Sequence, residues 1–67
     1  MEVKPEKFYE IRKKLKLTQA EIAENLGLTE RTIRHYEAGD REISLSIEKL
    51  LRYVAKERGL DIFSDEI

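Results

Sequence analysis

Four polar side chains crowd the middle of this chain: Glu30, Arg31, Arg34 and His35. At these spacings in a helical stretch they share one outward arc. A guanidinium can bond O6 and N7 of a guanine together, and a carboxylate can accept from N4 of a cytosine. That is the chemistry of reading base edges in a major groove. Arg31 is the first candidate for it, and Glu30 suits cytosine. Arg34 and His35 lie a turn later; were this stretch docked in a groove, one could reach a base while the other meets a phosphate. The plainer reading of these four is a solvated helix face. His35 is read as having no acid or cysteine partner, which predicts neither a metal site nor catalysis. No pair of carboxylates, nucleophile with its base, or phosphate-cradling glycine loop occurs, so no enzyme and no cofactor are expected.

Residues that read bases need rigid elements beneath them. Thr29 can cap a helix over residues 30–38, with Ile33 and Tyr36 inward and Gly39-Asp40 closing it. Before it, Thr18 with Glu21 three residues on forms a capping box. This opens a helix to Leu26, with Ala20, Ile22, Ala23 and Leu26 as candidate buried positions. Gly27, after Asn25, can take the left-handed conformation that stops a helix, and Leu28 follows as a short buried link. Upstream, residues 1–4 read as a frayed start and Pro5 suits a first helical position. Phe8, Ile11 and Leu15 give the stretch 6–16 one apolar face, which Tyr9 can extend. Arg12, Lys13, Lys14 and Lys16 gather at its C-terminal end, where the helix dipole favours cations. Ser44 or Ser46 can cap a last helix in which Ile47, Leu50, Leu51 and Val54 recur at helical spacing, with Gly59 ending it. The tail, residues 60–67, is half large apolar side chains, too many for a disordered acidic end.

Ala23, Gly27 and Ile33, spaced four and six apart among Ile22, Leu26, Leu28 and Tyr36, resemble the helix-turn-helix of the Cro/repressor family. The spacing has its own physical sense. Ala23 is small enough for two helices to cross closely, Gly27 permits the turn, and Ile33 plugs the angle between the helices. Leu17-Thr18-Gln19 and Tyr36-Glu37-Ala38-Gly39 match the family's flanking words. Ile43-Ser44 stands where many members carry a proline, and the stretch from Gly39 to Ile43 looks like compact phage-type versions. The resemblance covers roughly residues 6–58. It implies an all-α, compact four- to five-helix bundle of lambda repressor-like type, with helix 30–38 lying in the major groove. It also implies that Gln19 clamps the DNA backbone. Arg12 and Glu37 match positions that form a salt bridge between the first helix and the end of the third, and Arg12 can also face phosphate. Thr18 and Thr29 are caps, with or without a phosphate contact, and Lys14 and Arg41 are weaker phosphate candidates.

Composition bounds the rest. Sixty-seven residues make one domain with a small core and modest stability. With no cysteine, neither disulfides nor a thiolate metal site can staple it. Forty per cent apolar and 40% charged residues predict a soluble globular domain. No apolar run is long enough to cross a bilayer and no signal peptide is visible, which predicts a cytoplasmic protein. Thirteen basic residues stand against 14 acids, for a net charge of −1, unusual for a nucleic-acid binder. Only the face toward the phosphates matters, however. Residues 1–16 hold six basic and three acidic groups, residues 42–67 four and six, which leaves room for a basic N-terminal face.

The sequence therefore reads as a sequence-specific regulator of transcription that binds double-stranded DNA, most often a repressor in the family it resembles. One module offers few base contacts. A homodimer, formed free or only on DNA, would occupy two half-sites about 34–36 Å apart. Ile62, Phe63 and Ile67 in the tail are candidate dimer contacts; alternatively Leu60 and Phe63 fold back over the thin core. Two rivals remain: an antitoxin-like or bridging module whose protein partner supplies the affinity, and an accessory domain of a larger protein.

Overall fold

The computed structural model describes residues 3–60, and these form four α-helices with no strand among them. Helix α1 spans Pro5–Lys14, α2 Gln19–Leu26, α3 Glu30–Ala38 and α4 Leu45–Glu57. Caps set the starts. Thr18 Oγ1 accepts from the Glu21 N–H at 3.1 Å, and the Glu21 carboxylate accepts from the Thr18 N–H at 2.8 Å. Thr29 and Ser44 receive the N–H groups of Thr32 and Ile47, each at 3.2 Å, so the fourth helix is capped by Ser44 and not Ser46. Helix α1 has no side-chain cap and begins on Pro5.

The ends follow one pattern. After each helix a residue with positive φ turns the chain, and the next N–H reaches back five residues to a carbonyl. The turning residues are Lys16, Gly27, Gly39 and Gly59. The returning bonds are Leu17 to Arg12, Leu28 to Ala23, Asp40 to His35 and Leu60 to Ala55, at 2.8–3.2 Å. At Gly27 (φ +71°) an added Cβ would touch nothing, so glycine serves the backbone alone. Lys16 does the same work at φ 60° without being glycine. That conformation costs roughly 1–2 kcal/mol in an L-residue, offset by the burial of Leu17, which the turn drives into the core. Helix α1 consequently ends at Lys14 rather than continuing to residue 16.

The core lies where all four helices meet. Phe8, Ile11, Ile22, Ile33 and Leu51 are its largest fully enclosed members. Phe8 of α1 meets Tyr36 of α3 edge to face, ring centres 5.7 Å apart, a geometry that adds to the area they bury. Helix α3 packs against α1 and α2, and α4 backs α2. Several expectations need correction. Val3 is buried, so the segment before α1 covers the core instead of fraying at that point. Ala20 and Leu50 face outward, as does Tyr9, which lies beneath the cations of Arg12 and Lys13. Leu28 is half-buried. The candidate fifth turn and the tail residues Ile62, Phe63 and Ile67 lie outside the described residues.

Candidate nucleic-acid interface

Helix α3 buries Ile33 and Tyr36, and this fixes which arc points outward. Glu30, Arg31 and Arg34 are exposed on it and His35 is half-exposed at its edge. They are not equivalent. Arg34 Nη1 lies 3.2 Å from Glu30 Oε2, a pair one helical turn apart. His35 Nδ1 lies 2.9 Å from Asp40 Oδ1. The expected partnerless histidine therefore has an acid beside it, brought round by the turn at Gly39. Among the described residues Arg31 forms no hydrogen bond or ion pair, so its guanidinium stands free between two self-paired couples.

A second constellation sits behind this face. Arg12 Nε and Nη2 donate to Glu37 Oε2 and Oε1 at 2.6 and 3.1 Å, and Nη1 donates to the Leu17 carbonyl at 3.0 Å. Gln19 Nε2 donates to the same Oε1 of Glu37 at 3.1 Å. The network joins the end of α1, the first residue of α2 and the last turn of α3. Hydrogen bonding to Glu37 raises the pKa of Arg12 above its ordinary value, outweighing the opposite pull of burial. Arg12 is only 8% exposed and bonded through all three nitrogens. Its nitrogens are thus engaged with Glu37 and the Leu17 carbonyl within the protein.

The remaining backbone candidates divide by what they have left to offer. The Thr18 and Thr29 hydroxyl oxygens each accept a cap N–H, which leaves the Thr18 hydroxyl its hydrogen to donate, while Thr29 Oγ1 also lies 3.0 Å from Thr32 Oγ1. Gln19 keeps one amide hydrogen and its oxygen, and stands where the first amides of α2 point out of the helix. Lys14 is exposed and 3.6 Å from Glu10. Arg41 is exposed between Asp40 and Glu42. The Gln19–Glu37 and His35–Asp40 bonds went unread in the sequence because each crosses a turn and obeys no helical period. The Glu30–Arg34 pair did leave a signal, a separation of four. No group of His, Asp or Glu among the described residues is placed to hold a metal ion. None of their helices is long and apolar enough to cross a membrane.

Two helices joined by a left-handed glycine, the second presenting its polar arc, have the geometry of a helix-turn-helix. A family model described as helix-turn-helix matches residues 8–56, and the chain belongs to that family, the Cro/C1 type with a lambda repressor-like fold. No curated protein matches the chain.

Proposed function

We propose that the protein is a sequence-specific transcriptional repressor, acting in the cytoplasm as a homodimer with α3 in the major groove of each half-site. The single observation that carries this is the free Arg31 guanidinium at the centre of the outward arc. A cation already engaged would lose its partner on meeting a base; Arg31 gives up only water. It is assigned to guanine O6 and N7. Glu30 and Arg34 act as a unit whose pairing limits each to the bases that offer a better partner. His35, tied through Nδ1, offers Nε2 to a base or phosphate. Gln19, the α2 amides, Lys14, Arg41 and the capped loops at Thr18 and Thr29 hold the DNA backbone and set the register. Repression follows from occupying a promoter.

Selection of bound duplexes from a random pool tests this directly. The expected result is a palindromic motif with a guanine in each half-site whose preference disappears in Arg31→Ala at fixed salt, helical content unchanged. That preference should amount to about 1–3 kcal/mol per half-site. Equal preference in wild type and variant refutes the assignment. The net charge of −1 favours a second reading, an antitoxin-like or bridging module whose protein partner supplies the affinity. Absence of any enriched motif would select it.

A further inference from the structure

One surface of α4 plays no part in the core or in the proposed DNA face. Leu45, Leu50 and Tyr53 are 60%, 43% and 62% exposed, although the helix buries Leu51, Val54 and Ala55 on its other side. Ser46, Lys49, Tyr53 and Glu57 follow one another at three- and four-residue steps along this outward stripe, with Leu50 beside Lys49 and three residues before Tyr53. Tyr53 is at its middle and donates its hydroxyl to Glu57 Oε2 at 3.1 Å.

The geometry points to this stripe as a self-association surface, on which a second copy of the chain lays its own α4 antiparallel about a two-fold axis beside Tyr53. The charges choose both the occupant and the direction. Lys49 and Glu57 lie four residues to either side of Tyr53, about 6 Å each way along the axis. In an antiparallel pair Lys49 falls level with the partner's Glu57, and symmetry makes the same contact a second time. A parallel pair would set lysine against lysine and glutamate against glutamate. Tyr53 then stacks at the centre. Glu57 uses one carboxylate oxygen for Tyr53 and keeps the other for lysine. The inference rests on the homodimer in the proposed function and names its surface.

Sedimentation equilibrium of the full chain without DNA provides the test, so that its failure leaves base reading untouched. Wild type should associate reversibly. Lys49→Glu and Glu57→Lys should each weaken association by roughly tenfold, because two symmetric pairs are lost together. The double variant Lys49→Glu/Glu57→Lys should return to within roughly threefold of wild type. Tyr53→Asp should be monomeric with its circular dichroism retained, and Phe63→Asp should associate as wild type does. A wild type that stays monomeric at millimolar concentration overturns the proposal. So does a double variant no better than the single ones. Loss of association in Phe63→Asp but not in Tyr53→Asp would also overturn it, transferring the contact to the tail.

Discussion

Glu37→Ala should come close to unfolding this protein. The side chains of Arg12 and Glu37 are each 10% exposed and meet through two parallel bonds, the shorter 2.6 Å. Removing the carboxylate leaves a buried guanidinium with the Leu17 carbonyl as its remaining acceptor and strands the Gln19 amide as well. Breaking one side of such a pair costs about 3–5 kcal/mol, and the residual exposure places this site near the lower figure. A core built from so few residues supplies roughly 3–5 kcal/mol in all. Urea denaturation followed by circular dichroism should therefore lose most of its native baseline, the midpoint falling by about 2–3 M for a chain of this size. Arg12→Met with Glu37→Met separates burial from charge. Apolar side chains of similar volume should recover most of the loss, since the pair's own formation is nearly offset by its desolvation. The pH profile adds a sign check. Arg12 has a raised pKa, so its contribution is complete below its unfolded value and lost only as pH rises past the folded one. Stability linked to Arg12 should be flat from pH 5 to 9. A midpoint shift under about 0.5 M in Glu37→Ala would refute the argument.

Two further outcomes follow from local geometry. Gly27→Ala meets no atom, so its cost is the left-handed backbone alone, about 1–2 kcal/mol in the same urea titration; a neutral result would mean the turn relaxes. Tyr53 has its pKa raised by the hydrogen bond to Glu57, then by that carboxylate's charge. Its phenol should ionise later than a free tyrosine when followed by ultraviolet absorbance, and Glu57→Gln should reduce the delay. The sign makes any contribution to stability complete below pH 10 and lost above it; simultaneous ionisation in variant and wild type would remove Glu57 as the cause.

What was legible in the sequence was local. Thr18 with Glu21, Thr29 before Glu30, and Gly27 after Asn25 declare their geometry because each satisfies backbone groups within one turn. Ile33 and Ala23 were legible because helices that close admit only one bulky and one small neighbour at the crossing. Periodicity failed where two apolar residues adjoin. Leu50 and Leu51 fit the same spacing, and only the direction from which α2 approaches buries the second. Lys16 gave no warning because lysine is an ordinary helix residue; its left-handed turn is imposed by Leu17 reaching the core. The pairing of His35 depended on where Asp40 lands after Gly39, a three-dimensional fact without a sequence period.

The same pairings bear on how an acidic chain can bind DNA. Counted as bare residues, the outward arc of α3 holds two arginines, one glutamate and a histidine. With Glu30 on Arg34 and Asp40 on His35, the uncompensated cation is Arg31. On the proposed docking, general attraction to phosphate is then weak and the salt dependence of binding correspondingly shallow, because few counterions are released. Affinity must come from placement. That is the work of the Arg12–Glu37–Gln19 network, which ties three helix ends to one carboxylate and so fixes the tilt of α3 relative to the N-terminus of α2. A loose network would still leave Arg31 exposed, but with its fork no longer aligned to a guanine edge. Buried ionic bonds that add little net stability are thus retained where orientation matters more than strength.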